Sequence, residues 1–163
     1  MDDRTRQQLQ ATLGHRFASP ELLDRALRHA SLVDTRTESN ERMEFLGDAV
    51  LGLVVCERVY ARDPEMLEGE MTKIKSMVVS RQSCAAIAHQ IGLPAFIRLG
   101  KGMQSGELPS SLAAAAFEAV TAAIYLDAGY DAARAFLLPL IDPLVERAAG
   151  SGHQQNFKSF LQQ

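Results

Sequence analysis

The sequence predicts an all-α protein with a single domain. Aromatic residues make up only 6% of the 163 residues, and no clean alternation of polar and apolar residues is bounded by the turns typical of hairpins. Helix start and stop signals recur along the chain instead. Hydrophobic residues at 47% and charged residues at 23% are typical of a globular domain with its own core.

Six helices are predicted, and most are bounded by recognisable start or stop residues. Gly14 ends the first, Ser19 followed by Pro20 begins the second, and Asn40 caps the third. The predicted helices cover residues 4–13, 20–29, 41–61, 67–92, 110–127 and 131–149. A polar loop, a glycine-rich loop and a linker are predicted at residues 32–39, 99–106 and 150–153.

The charge and cysteine content exclude several classes of protein. Seventeen Lys and Arg residues against twenty Asp and Glu residues give a net charge of -3, so the domain is not a generally basic nucleic-acid binder. Two cysteines cannot form a disulfide framework, which favours the reducing cytosol. The polar start lacks a signal-peptide core, and acidic residues interrupt the most apolar stretches, which argues against a membrane span. We therefore expect a cytoplasmic protein.

Three carboxylates share one face of the third helix. Glu44 and Asp48 follow Glu41 by three and seven residues, in a helix that is otherwise apolar almost all round. Side chains at such spacings have Cβ atoms about 5–6 Å apart, where two like charges repel by about 3 kcal/mol at an effective dielectric near 20. Because burial adds a desolvation cost, these groups require a positive partner or shared protons.

Glu118 presents the same problem in the alanine-rich helix, where it is the one charge among small residues. A divalent cation between this helix and the three carboxylates would satisfy both, and an all-oxygen set favours Mg²⁺ or Mn²⁺. Two explanations without a metal remain open at this point. Glu41 could be a solvated residue favoured by the helix dipole, and a structural ion-pair network could replace the metal.

Residues 40–51, which read Asn-Glu-Arg-Met-Glu-Phe-Leu-Gly-Asp-Ala-Val-Leu, resemble the signature stretch of the ribonuclease III nuclease domain. A motif of this length is highly specific. Further matching segments cover residues 26–31, 68–73, 99–102, 117–119 and 123–129. The resemblance extends over about residues 5–148, which is nearly the whole chain.

The resemblance implies an all-α nuclease domain, residues 1–149, that forms a homodimer and cleaves double-stranded RNA. Metal-activated water would leave 5′-phosphate and 3′-hydroxyl ends. In the family, carboxylates that match Glu44, Asp48 and Glu118 bind Mg²⁺, for which Mn²⁺ can substitute. Further implied positions are Glu41 and Glu68 as ancillary acidic residues and Phe45 as a side chain that packs into the partner subunit.

One position departs from the family. The family usually has Asp three residues before the glutamate that matches Glu118, and this chain has Ala115 there. Alanine offers no oxygen, so we predict weaker metal binding and slow or absent cleavage. The sequence allows either an engineered inactive variant or a natural divergent member.

Two further segments bear on RNA binding. Lys73 and Lys75 offer modest basic charge that could contact phosphates across the RNA minor groove, or form a solvated helix face. Residues 150–163 are predicted to be a linker and the truncated start of a double-stranded-RNA-binding domain, because residues 156–163 resemble its opening turns. These features leave an alternative function, an inactive dimer that binds RNA without cutting it. A helical metal-carboxylate redox protein is a second alternative, which would require bound iron.

Overall fold

The computed structural model describes the backbone of residues 1–103 and 108–160, and side chains up to residue 151. This part of the chain contains α-helices, short 3₁₀ turns and one isolated bridge between Arg28 and Arg98, with no longer strand. The predicted all-α class is confirmed. The helices are α1 (Asp3–Leu13), α2 (Pro20–Ala26), α3 (Glu41–Tyr60), α4 (Glu68–Val78), α5 (Arg81–Gln90) and α6 (Ser110–Phe160). The 3₁₀ turns are Ala30–Leu32, Arg36–Glu38, Leu93–Phe96 and Lys101–Met103.

The long segment α6 forms the centre of the core. Gly129, with φ 81° and ψ −174°, breaks it into two helical arms, residues 110–128 and 130–160. A helix of this length and hydropathy could by composition cross a membrane, but 67% of its most apolar window is buried inside the protein. That burial is typical of a core helix against which the shorter helices pack.

Three predicted boundaries differ from the structure. The helix predicted over 67–92 is two helices, because Ser80 is extended and its hydroxyl accepts the Ser83 N–H at 3.2 Å, which begins α5. Helix α2 ends at residue 26 because the next residues bond elsewhere: the Arg98 N–H donates to the Leu27 carbonyl at 2.8 Å. The backbone also continues as helix through 150–160, where a linker at 150–153 and the start of an RNA-binding domain were predicted.

The predicted loop at 32–39 is described in full, whereas two other predicted segments are described only in part. The predicted loop at 32–39 contains a 3₁₀ turn, Arg36–Glu38. Residues 104–107 of the predicted glycine-rich loop lie outside the described residues, as do residues 161–163 of the predicted RNA-binding segment.

Ser19 and Asn40 occupy the predicted N-cap positions, but neither side chain makes a capping bond. The Asp127 carboxylate on α6 accepts the Ser19 N–H at 2.8 Å instead, together with the Ala18 N–H at 3.0 Å. The Asn40 side-chain amide donates to the Ala26 carbonyl at 3.3 Å. The Asp127 contacts thus fix the chain that precedes α2, and the Asn40 contact fixes the chain that precedes α3.

Helices α3 and α6 pack backbone against backbone at Gly47. A Cβ atom built on Gly47 would lie 1.7 Å from the backbone oxygen of Glu118 and 2.5 Å from its carbonyl carbon. Only glycine permits this separation. The contact brings the backbone of Glu118 alongside the face of α3 that carries the predicted carboxylates.

Candidate functional site

Helices α3, α5 and α6 enclose an open pocket of about 510 Å³, which we call the carboxylate pocket. It is lined by Glu41, Glu44, Phe45, Asp48, Val79, Arg81 and Glu118. The structure therefore brings together the three carboxylates of α3 and the single acidic residue of the alanine-rich helix. The close approach at Gly47 explains why residues from α3 and α6 share one pocket.

Glu118 is the buried member of this pocket, with 7% of its surface exposed. Burial raises the pKa of Glu118 to about 7, and the charges of Asp48 and Glu44 add to the rise. Arg81 and a hydrogen bond with the Cys84 thiol act in the opposite direction. The pocket therefore has an excess of negative potential around Glu118, which a proton or another cation would offset.

Two of the four carboxylates are paired with arginines. Arg81 on α5 lies 3.5 Å from Glu44, measured from its Nη2 to Oε1. Arg36 binds Glu41 through two nitrogens, with its Nε 3.1 Å from Oε2, and this hydrogen bond lowers the pKa of Glu41. The structure therefore shows ion pairs, one of the two alternatives to a metal that the sequence left open, at Glu41 and Glu44.

The donor chemistry of the pocket fits a hard divalent cation. All four acidic groups offer carboxylate oxygens, which suit Mg²⁺ and Mn²⁺. The raised pKa of Glu118 reflects its burial first and the neighbouring charges of Asp48 and Glu44 second. As the side chains stand, no three His, Cys, Asp or Glu groups among the described residues converge closely enough to hold a metal. The charge and the ligand type fit a metal, whereas Glu41 and Glu44 are held in ion pairs with arginines.

Ala115 lies one helical turn before Glu118 and is 8% exposed. Its neighbours in the run 113–116 are also buried. Residues separated by three positions lie on the same side of a helix, so a carboxylate at this position would lie beside Glu118. The side chain that is present adds only a methyl group to the surroundings of the pocket.

Glu68 is not among the residues that line the carboxylate pocket. It lines a separate groove of about 380 Å³ between α3 and α4, and its carboxylate accepts the Thr72 hydroxyl at 2.6 Å. Lys75 lines the same groove, and Lys73 is exposed on α4. Glu68 and Lys75 therefore share a groove apart from the four grouped carboxylates, and Lys73 lines neither of these two pockets.

Phe45 is 83% exposed although it is a large apolar side chain. Leu53, Cys56 and Tyr60 are exposed on the same helix, at spacings that place them on one side. We call Phe45, Leu53, Cys56 and Tyr60 the apolar stripe of α3. Cys56 lies on this exposed side and outside the core, because α3 buries its opposite side.

Arg36 and Cys84 are the site residues that sequence reasoning missed. Arg36 lies in a segment predicted as a loop, and Cys84 lies inside the helix predicted over 67–92. Arg81 was likewise not predicted as a partner of Glu44. The signal that could have found an arginine partner was the unbalanced charge of Glu44, since the helix positions one turn before and after it are both acidic.

Comparison with known proteins identifies the class to which this helical fold and carboxylate pocket belong. The family model for ribonuclease-III-like proteins matches residues 19–144. The chain belongs to the ribonuclease III family.

Proteins named Ribonuclease 3 are among its relatives. The one from Rhodopirellula baltica is 45% identical over 94% of this chain and 58% of its own length. The one from Bdellovibrio bacteriovorus is 38% identical over 100% of this chain and 72% of its own length. This chain thus spans only part of the length of the curated relatives it matches.

Solved structures agree with the family assignment. The nuclease domain of ribonuclease III from Campylobacter jejuni is 36% identical, with a TM-score of 0.78, over 83% of this chain and 95% of that one. Dicer from Giardia intestinalis is 23% identical, with a TM-score of 0.68, over 86% of this chain and 19% of that one. The second likeness concerns the fold alone.

Proposed function

We propose that this chain is the nuclease domain of an endoribonuclease that hydrolyses double-stranded RNA with Mg²⁺ or Mn²⁺. The observation that carries the proposal is the carboxylate pocket, in which Glu44, Asp48 and Glu118 meet although they come from two helices. Family membership and the relatives named Ribonuclease 3 support the activity on RNA. The cytoplasmic location stays a prediction from the sequence.

In this mechanism Glu44, Asp48 and Glu118 would hold the metal, and Glu41 would add negative charge at the rim. The bound metal would supply Lewis-acid activation of water and stabilise charge on the phosphate oxygens. Water attacks phosphorus, the bond to the 3′-oxygen breaks, and the leaving oxygen takes up a proton. The products are a 5′-phosphate and a 3′-hydroxyl. Exposed Lys73 and Lys75 are proposed to contact RNA phosphates, and Glu68 to act as an ancillary acidic residue from its groove on α4.

A second function is favoured by one observation. Ala115 offers no oxygen ligand beside Glu118, and arginines already neutralise Glu41 and Glu44. A dimer that binds RNA duplexes without cutting them would need neither a complete ligand set nor metal. The two functions differ in their requirement for a cation, which the following assay uses.

The test is cleavage of a long RNA duplex by the purified chain with Mg²⁺ or Mn²⁺, beside binding of the same duplex with Ca²⁺. We expect slow, metal-dependent cleavage with 5′-phosphate ends. Glu118→Gln keeps the shape but removes a charged ligand. It should reduce the rate by about 100-fold or more, because loss of a group that binds the metal costs more than the roughly 10–100-fold lost with a group that only supports a ligand.

The controls separate the two functions. Glu118→Gln should remain folded, because a neutral amide is less costly to bury than a carboxylate. Duplex binding without any cleavage at high metal concentration would favour the non-cutting dimer. Neither binding nor cleavage would reject the assignment to RNA.

The apolar stripe supports a homodimer. An exposed Phe with further apolar residues at helical spacing requires a covering surface, and a two-fold interface supplies one. The Campylobacter jejuni nuclease domain is described as having a region involved in dimer formation. We propose that Phe45 and the stripe pack against a second copy of this chain.

Phe45→Ala is expected to shift the chain toward monomer, with a dimer dissociation constant raised by about thirtyfold or more, as for an aromatic anchor at an interface centre. Sedimentation equilibrium of both chains measures the constants. Leu126→Ala, which truncates an exposed apolar residue on α6, is the matched control and should leave the constant unchanged. An unchanged constant for Phe45→Ala would contradict its placement in the interface.

A further inference from the structure

The ion pair between Arg81 and Glu44 occupies the side of the carboxylate pocket that faces α5. The guanidinium is the only Lys or Arg group among the described residues that line this pocket, and it lies 3.5 Å from the Glu44 carboxylate. Glu44 is one of the three groups proposed to hold the metal. A carboxylate oxygen that accepts a charge-assisted hydrogen bond from the guanidinium is less available to bind a divalent cation.

The ion pair can open without rearrangement of the fold. Arg81 is 63% exposed by its side chain, and exposed pairs of this kind contribute little to stability. Arg81 also stands in the first turn of α5, where its long side chain can rotate into solvent. The arginine is therefore a replaceable cation of the pocket.

The other acidic groups make this replacement favourable. Asp48 and Glu118 form no ion pair within residues 1–103 and 108–151, so the pocket keeps negative charge after Arg81 has neutralised Glu44. A divalent cation could interact with Glu44, Asp48 and Glu118 together, whereas the guanidinium is paired with Glu44 alone. Like charges repel, so the cation and the guanidinium compete for the same carboxylate.

We propose that Arg81 is the resident counter-ion of the carboxylate pocket, and that a divalent cation binds by displacing its guanidinium from Glu44. The inference rests on the proposed metal site. It assigns Arg81 a regulatory effect on metal affinity, and it explains why the Glu44 carboxylate is held in an ion pair. The absence of an acidic group at Ala115 strengthens the effect, because fewer negative charges remain to attract the metal.

The experiment is isothermal titration calorimetry of the full chain with Mg²⁺ and with Mn²⁺. Arg81→Gln removes the charge and should bind the metal about three- to tenfold more tightly, as expected for loss of one partly screened positive charge near a divalent ion. Arg81→Lys keeps the charge and should bind within about twofold of the original chain by the same reasoning.

Arg42→Gln is the matched control, since it removes the same charge from the first turn of α3 at a residue that does not line the pocket. It should change the dissociation constant by less than about twofold, because screening weakens exposed charges that make no contact. All four chains are also compared with Ala115→Asp added, so that a weak site becomes measurable. Thermal unfolding in EDTA checks that each variant is folded.

Each outcome decides the inference. Tighter binding by Arg81→Gln alone supports it. Unchanged or weaker binding by a folded Arg81→Gln overturns it and leaves the metal site in place, and equal tightening by Arg42→Gln overturns it in favour of net charge. If no chain binds metal, including those with Ala115→Asp, the proposed metal-dependent function fails and the inference fails with it.

Discussion

Ala115→Asp is expected to increase the rate of RNA duplex cleavage by about 100-fold. Loss of a group that only supports a metal ligand costs about 10–100-fold, and a group that binds the metal itself should contribute at least the upper end of that range. The substitution restores a carboxylate one turn before Glu118, on the side of the helix that faces the carboxylate pocket. The measurement is the initial rate of cleavage at fixed Mg²⁺, followed by gel separation of the products.

The same substitution should change stability in opposite directions with and without metal. Without metal, a second carboxylate beside the buried Glu118 adds repulsion and desolvation, so we expect a loss of about 1–3 kcal/mol of unfolding free energy. With Mg²⁺ or Mn²⁺ the stability should recover, because a cation that binds only the folded state stabilises it by mass action. Thermal unfolding with EDTA and with each metal measures both effects.

Ala115→Asn is the matched control for this result. Asparagine has nearly the shape of aspartate but carries no charge, so it should neither raise the cleavage rate strongly nor show the same dependence of stability on metal. A rate for Ala115→Asp equal to that of the original chain would show that the missing carboxylate is not what limits this protein. Slow cleavage would then have a cause other than the missing carboxylate at position 115.

Gly47→Ala is expected to lower the unfolding free energy by about 3 kcal/mol or more, at the upper end of the cost of overpacking a core. The new Cβ would lie 1.7 Å from a backbone oxygen and 2.5 Å from a carbonyl carbon of Glu118, and neither atom can move without displacing α6. Urea denaturation at one protein concentration measures the loss.

Gly52→Ala on the same helix is the control. Its Cβ would meet only the Cε atom of Lys75 at 3.9 Å, which is an ordinary contact with a flexible side chain. Because alanine favours a helix over glycine, this variant should be neutral or gain up to about 1 kcal/mol. Equal stability of Gly47→Ala and Gly52→Ala would contradict the close approach of α3 and α6 on which the pocket depends.

The spacing of Glu41, Glu44 and Asp48 predicted that they share a face, and the structure places all three in one pocket. That prediction follows from local geometry, since any α-helix brings residues three and seven positions apart to the same side. The error in the end of α2, by contrast, arises from contacts between residues that are distant in the sequence. The early end of α2 depends on backbone bonds to Arg98, a residue far along the chain.

The sequence alone determined the helical class, the shared face of the α3 carboxylates, the solitary charge of the alanine-rich helix and, through a specific motif, the family. These properties depend on periodicity and residue order, which a linear chain carries in full. Only the tertiary structure decided that Arg81 and Arg36 neutralise two of those carboxylates, that Glu68 lines another groove and that Cys56 faces outward. Such facts depend on how separate helices pack together. Helices α3 and α6 can pack as they do only because Gly47 has no Cβ atom at their contact.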